Sequence, residues 1–391
     1  MIALLFFPIY ILFNYLLCKI VIKWLSIFNR FFHKKVFCSV LLTVQIILTI
    51  CPLIGFLLPS GSFRRFFQFL GNYYLGVMIY AFLILLSALI LKKLFKKFII
   101  KHNSNRIYAI SGLVCLLLLF IVSIYGVVNA RIIHVKNYSI TINKKSNIDS
   151  LKLVMIADLH MGYNIGTKHI KRMVNKIKDE KPDILLIAGD IFDNEYDAIE
   201  NPSEVIKLLK SINPKYGMYA VYGNHDINER VLMGFTFFDK KQKMSDAKMD
   251  DLLKKSGVRL LRDESILIAD SFYIYGRPDY SRLGRGIKKR KNPDEMVSNL
   301  DTKKSIIVLD HQPRQLQEMS KNIDISLSGH THDGQIFPLN LLMRLVYKNS
   351  YGLKKINNMT SIVTSGVGIY GPNMRVFTKA EITSIKINFK S

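Results

Sequence analysis

The residues of this sequence whose types and order could do chemistry are Asp158 and His160, Asp190, the run Asn224, His225 and Asp226, then His311, and finally His330 with His332. Each group follows a short apolar run. LKLVMIAD ends in Asp158, DILLIAGD ends in Asp190, and MYAVYGNHD delivers Asn224 to Asp226. SIIVLDHQP then delivers His311, and IDISLSGHTHDG delivers His330 and His332. Taken singly, each has a bland reading. A lone His is usually a surface or hydrogen-bonded residue, an Asp after a strand often caps a turn or helix, and Gly-Asn is a turn signal. Five apolar runs ending in Asp, His or Asn exceed what turn chemistry alone produces. Carboxylate, imidazole and amide oxygen, with no thiolate, form a donor set for Mn, Fe, Zn or similar divalent ions rather than a structural zinc cage. Two such ions about 3.5–4 Å apart generate a hydroxide, clamp phosphoryl oxygens and stabilise the leaving oxygen of an in-line displacement. A carboxylate bridging the two ions is the natural centre, and a glycine beside it leaves room for a metal to approach.

Such residues must be delivered to one place by the elements that carry them. From residue 138 onward, short apolar runs alternate with amphipathic stretches. The pattern predicts strands at 138–142, 151–157, 183–188, 217–222, 264–269, 271–276, 305–310, 323–328, 361–364 and 381–386. It predicts helices at 167–180, 203–211, 246–255 and 312–320. Strands alternating with helices indicate an α/β arrangement, and the strand-rich tail suggests antiparallel pairing. The polar residues would then line the C-terminal strand edge, where open α/β sheets build their sites.

The remaining third has another composition. Residues 1–130 contain no Asp or Glu, whereas residues 131–391 hold all 29 acids against 42 Lys and Arg. A bilayer core of about 30 Å needs about 20 mostly apolar residues per helix. Stretches 2–22, 36–58, 72–91 and 107–129 qualify. The first lacks a charged leader and a small-residue cleavage pattern, so it reads as a retained span. The domains expected are therefore a membrane domain at 1–130, a linker and first strand at 131–150, and a catalytic domain at 151–391. The loop cations Lys23, Arg30, Lys34 and Lys35, and Lys92, Lys93, Lys96, Lys97, Lys101 and Arg106, mark loops one and three as cytoplasmic. Only Arg64 and Arg65 mark the second loop, which places the catalytic domain outside the cell membrane. Arg131, Lys136, Lys144 and Lys145 pull the other way. All four cysteines lie in the apolar third, so the catalytic part has neither a disulfide framework nor a thiolate site.

The ordered series D-x-H, GD-x-x-D, GNHD, a lone His and GHTH resembles the calcineurin-like metallophosphoesterase family, in particular its membrane-attached bacterial phosphodiesterase branch. It reads here as Asp158–His160, Gly189–Asp190 through Asp193, Gly223–Asp226, His311 and Gly329–His332. The resemblance runs from about residue 150 to 386 and includes the closing SGVGIYGPNMRVFTKAEI. It implies an αββα sandwich of two mixed sheets, here preceded by an all-α bundle of four transmembrane helices. It also implies that Asp158, His160 and His332 hold one metal, that Asp190 bridges, and that Asn224, His311 and His330 complete the second. His225 would protonate the leaving group or bind the phosphate, and Asp226 would orient it. Asp333 departs from the small residue usual in related sequences and would change the charge near the site's mouth. Arg375 could touch the substrate phosphate, although a surface Arg is the plainer reading.

Two further segments bear on substrate. RLGRGIKKRK, 282–291, has six positives in ten residues and could meet anionic lipid headgroups or an anionic substrate, or be a solvated loop. The apolar stretch 337–351 could lie on the bilayer, with core packing slightly favoured. With the anchor, these favour a phosphodiester or lipid-linked phosphate near an anionic membrane surface. A cytoplasm-facing lipid-linked sugar–nucleotide pyrophosphatase is the alternative substrate choice, and a non-catalytic membrane sensor or assembly protein the alternative class. Nucleic acid ranks lower, since no nucleic-acid-binding module is present, and no obligate protein partner is implied.

Overall fold

The computed structural model describes residues 2–95, 104–232, 235–236 and 244–389. Lys96, Lys97 and Lys101 of the third basic loop lie outside them. The chain divides into two compact units. One comprises Met1–Val128, Val231–Phe237 and Gly371–Met374, and the other Asn129–Arg230, Phe238–Tyr370 and Arg375–Ser391.

The apolar stretches form helices α1 (Ile2–Phe28), α2 (Lys35–Leu57), α3 (Ser62–Leu94) and α4 (Ser104–Asn129). All four are long and apolar enough to cross a membrane. α3 starts ten residues before the expected span at 72–91, so Arg64 and Arg65 sit in its first turn rather than in a loop. A polar knot ties the first three helices: Gln45 Nε2 donates to Asn14 O (2.8 Å), and Tyr74 Oη donates to Asn14 Oδ1. Hydrogen bonds between helices are favoured where lipid offers no alternative partner. Elsewhere the helices turn apolar side chains outward, such as Leu89 and Phe120, both 63% exposed.

The second unit holds two six-stranded sheets. The first runs β1 (Ile133–Ile142), β14 (Ala380–Phe389), β2 (Ser150–Ile156), β3 (Ile184–Ala188), β4 (Met218–Val221) and β7 (Val258–Leu260). The second runs β12 (Gly352–Ile356), β13 (Met359–Val363), β11 (Ile325–Ser328), β10 (Ser305–Leu309), β9 (Phe272–Gly276) and β8 (Glu264–Ile268). A separate two-residue ladder pairs β5 (Val231–Leu232) with β6 (Phe235–Thr236). Both large sheets are mixed. β2, β3 and β4 run parallel, as do β9, β10, β11 and β13, while β14–β2, β12–β13 and β8–β9 are antiparallel. The strand-rich tail is only partly antiparallel, because β14 pairs in parallel with β1.

Side chains alternate across each strand, and here both faces are covered. Leu151, Leu153 and Met155 of β2 meet Phe272, Ile274, Ile307 and Leu327 between the sheets. Val154 and Ile156 point outward under α5 (Thr167–Asp179), α6 (Pro202–Lys210) and α7 (Ala247–Lys255), whose Met173, Ile177, Leu209 and Leu252 complete that layer. On the far side Tyr275, Ile306 and Val308 lie under α8 (Pro293–Val297) and α9 (Leu316–Met319). The layers are therefore helix, sheet, sheet, helix, the αββα sandwich. The helix expected at 312–320 shortens to α9, because Gln315 just before it has φ 54°, outside the helical region. A last helix, α10 (Leu339–Val346), buries none of its residues, so core packing, the slightly favoured reading of 337–351, does not hold.

Leu153→Ala removes a side chain with 0% exposure between the sheets and should cost about 2–5 kcal/mol. The control Leu345→Ala, at an 83% exposed position, should leave the unfolding midpoint of the purified chain unchanged.

Candidate metal centre

Parallel pairing puts the C-terminal ends of β2, β3 and β4 on one edge of the first sheet, and those of β10 and β11 on one edge of the second. The residues just beyond these ends converge. Two clusters each bring three ligand atoms within 4.8 Å of one another: Asp158, His160 and His332, and Asp190, His311 and His330.

Short backbone bonds hold the loops in place. Asp158 N–H donates to Gly189 O, His160 N–H to Asp190 O, and Gly329 N–H to His311 O, each at 3.0 Å. His330 N–H reaches Asp158 Oδ1 at 2.9 Å, tying β11 to β2. The ligand-bearing backbone is strained. Asp158, His160, Asp190, His330 and His332 all have φ between 46° and 72°, the left-handed region that ordinary residues avoid and that functional sites collect. Glycines make the close approaches possible. A Cβ on Gly189 would lie 2.6 Å from His311 Nδ1, so this glycine admits the imidazole rather than an ion.

Within the first cluster His160 Nε2 lies 3.1 Å from His332 Nε2, and His332 Nε2 lies 3.7 Å from Asp158 Oδ1. In the second, His311 Nε2 lies 3.1 Å from Asp190 Oδ2 and 3.2 Å from His330 Nδ1. Asn224 Oδ1 joins it at 3.1 Å from His311 Nε2. Asp190 Oδ2 also faces the first cluster, 3.7 Å from His160 Nε2. Ligands at about 2.0–2.2 Å from one ion are separated by such distances. Four imidazoles and two carboxylates turned toward shared points fit cations, because facing ring nitrogens do not satisfy each other. His311 Nδ1 donates to Ala188 O (2.9 Å), which turns Nε2 toward Asp190 as the nitrogen that could ligate an ion.

The charge balance agrees. Burial pushes His160 and His330 down to about 3 and His332 well below its usual value, keeping the imidazoles neutral. Burial lifts Asp158 to about 7. Asp190 and His311 form a tight pair. Burial opposes charge on both, yet each holds the other ionised, with Asp190 well below and His311 well above its ordinary value. The pocket thus takes up a proton on His311 where a bound cation would supply the charge.

His225 lies beside these ligands. Its backbone N–H donates to Asp190 Oδ1 (2.8 Å), and its ring packs against that of Tyr370, tilted by 41° with centroids 4.2 Å apart. Asn194 Nδ2 donates to Ile227 O, so Asn194 Oδ1 accepts from His225 Nδ1 (2.7 Å). Asp226 has a different task from the expected one. Its carboxylate accepts from the backbone N–H of Phe192 (2.8 Å) and of Gly223 (2.7 Å), bracing the loop, so Asn194 is the residue that orients the ring. Arg375 is not the surface residue of the plainer reading. It is 0% exposed, and its guanidinium donates to the carbonyls of Ser365 (2.6 Å), Gly368 (2.8 Å) and Lys379 (3.0 Å) behind His332. Asp333 is buried rather than at a mouth, and burial lifts it to about 6.

The basic segment 282–291 divides in two. Arg290 pairs with Asp310, as does Arg277 at 3.0 Å, and Lys291 N–H donates to Asp263 Oδ2 (2.7 Å). Asp310 is fully buried and immediately precedes His311, so these cations set a ligand's position. Arg285, Lys288 and Lys289 remain at the surface. Sequence reasoning missed Asn194, Tyr370 and Arg314. Only Asn194 gave a signal, as the neighbour of Asp193 in the second motif. Arg314 lies over the rings of Tyr280 (5.2 Å) and Tyr347 (5.4 Å), and the Tyr347 ring stands edge-on to His330 at 6.0 Å.

The calcineurin-like phosphoesterase family description matches residues 151–334. An uncharacterized metallophosphoesterase of Aquifex aeolicus is 30% identical over 268 residues, covering 68% of this chain and 96% of the relative. The chain belongs to the calcineurin-like metallophosphoesterase family. A transmembrane protein with metallophosphoesterase domain of Danio rerio is 30% identical, over 69% of this chain and 61% of its own length. An uncharacterized metallophosphoesterase of Campylobacter jejuni is 29% identical, over 70% and 69% respectively. The metallophosphoesterase domain here carries two His/Asp groups for two divalent ions.

Gly223→Ala would place a methyl carbon 2.2 Å from Asp190 Oδ1 and 2.5 Å from Asp190 N. Bound metal, measured by elemental analysis, should fall from two ions per chain to one or none, while Leu345→Ala retains both.

Proposed function

We propose that this metallophosphoesterase is a membrane-anchored phosphodiesterase acting on phosphodiesters or lipid-linked phosphates near an anionic bilayer surface. The membrane domain is 1–130, the linker and first strand 131–150 and the catalytic domain 151–391, with the catalytic domain outside the cell. Asp158, His160 and His332 would hold one ion, Asn224, His311 and His330 the other, with Asp190 shared between them. The observation that carries the reading is the convergence of these side chains at 3.1–3.7 Å with His225 fixed beside them.

When bound, two divalent ions supply Lewis-acid charge to the phosphoryl oxygens and make water nucleophilic. His225 handles the proton. With Nδ1–H committed to Asn194, a proton on Nε2 makes the ring an imidazolium aimed at the leaving oxygen. Burial lowers the pKa of His225, so the negative charge of the substrate has to hold that proton in place. Tyr370 packs against the ring and limits its rotation. Asp226 and Arg375 keep the loops from moving.

His225→Ala should retain both metals yet lose about 10²–10⁴-fold in turnover of diesters with poor leaving groups, and much less with good ones. An equal loss across leaving groups would assign His225 to phosphate binding. Sidedness has its own test. A reporter active only outside the cytoplasm, fused after Ser391, should be active, and a cytoplasm-only reporter silent. The reverse would turn the substrate choice to the cytoplasm-facing sugar–nucleotide pyrophosphatase.

A further inference from the structure

Helix α10 is turned inside out for a globular domain. Asn340, Met343 and Tyr347 take its half-buried side, while Leu341, Leu342, Leu345 and Val346 are 48, 52, 83 and 65% exposed. Residues spaced i, i+1, i+4 and i+5 share one stripe of a helix. Phe337 and Phe377, 40% and 70% exposed, add to the apolar surface, their rings edge-on at 5.6 Å. The two segments are joined by backbone bonds from Phe337 N–H to Val376 O (3.1 Å) and from Val376 N–H to Gln335 O (3.2 Å). Phe377 also has φ 59°, a left-handed backbone that a bulky residue occupies only where its surroundings impose it. A contiguous apolar patch of this kind marks an interaction surface.

Its position within the catalytic unit says what covers it. Asn129 ends the fourth apolar helix, and its Nδ2 donates to Arg375 O (3.0 Å) and Thr378 O (2.8 Å), on either side of Phe377. β1 begins at Ile133, so the hydrocarbon edge reached by α4 lies within a few residues of this point. Cations border the stripe: Arg344 within it, Lys348 and Lys354 just beyond, all exposed. Leucines on one face with basic residues alongside are the pattern of a helix lying in a bilayer interface.

We propose that α10, with Phe337 and Phe377, lies in the plane of the bilayer surface and holds the metal centre at the headgroup layer. His330 stands 6.0 Å from the Tyr347 ring, at the end of α10, so the second ligand cluster sits beside the docked surface. The inference rests on the membrane-anchored reading above and narrows its substrates to phosphoesters carried in or on a bilayer.

The chain has one tryptophan, Trp24, so Trp24→Phe clears the background for Leu345→Trp. The full-length chain is placed in nanodiscs of phosphatidylcholine and phosphatidylglycerol, with and without lipids brominated in the upper acyl chain. The new indole should emit at short wavelength and lose at least half its intensity to the brominated lipid. Unquenched emission overturns the proposal, at long wavelength because the face is in water, at short wavelength because a second copy of the chain covers it. Phe377→Trp in the same background gives a second reading at an independent position. Adding Asp190→Asn, which abolishes turnover, should leave the quenching unchanged, so a failure of docking and a failure of the catalytic reading give different results.

Discussion

Asp158 and Asp190 put two carboxylates where almost no water reaches them, 0% and 1% exposed, within one pocket. A buried charge is tolerated only when an opposite charge and hydrogen bonds replace the lost hydration. The chain meets part of this demand with His311 and with backbone N–H groups of His225 and His330. The remainder of the design follows from the same constraint. The other three imidazoles, His160, His330 and His332, stay neutral, and the two clusters concentrate donor atoms where positive charge is wanted. The donor atoms are gathered before any ion is bound, and divalent cations are their natural complement.

Holding that pocket open costs backbone energy. Residues in left-handed conformations carry about 1–3 kcal/mol each, and five ligands share this condition. The strain is sustained by what surrounds it: two six-stranded sheets whose central strands are buried on both faces, and helices covering the outer sides. The Arg277–Asp310–Arg290 cluster and the buried Arg375 extend this support to the loops themselves. These arginines donate to carbonyls and a carboxylate next to the clustered side chains. Their removal would act through ligand placement.

The apolar surface of α10 follows a different rule. Inside the sandwich, leucines sit between the sheets. On α10 they are exposed on the surface of the unit that holds the two sheets. The basic segment 282–291 shows the converse: Arg282 and Arg290 pair with Glu229 and Asp310, while Arg285, Lys288 and Lys289 lie at the surface.

The sequence alone determined the ligand types and their order, because the motifs are local: an apolar strand followed by its polar residue is written in consecutive positions. It likewise determined the apolar third, since a membrane-length helix is a composition as much as a structure. It did not determine which residue steadies His225. Asn194 and His225 are 31 positions apart and meet only because β3 and β4 are neighbours. Nor could it bury Arg375, expose α10, or pair β14 with β1 in parallel, since these depend on which faces the two sheets cover. Register within a strand is a property of sequence. Which side chains are left outside when the layers close is decided by the tertiary structure, because burial belongs to the whole assembly of elements and to no single one.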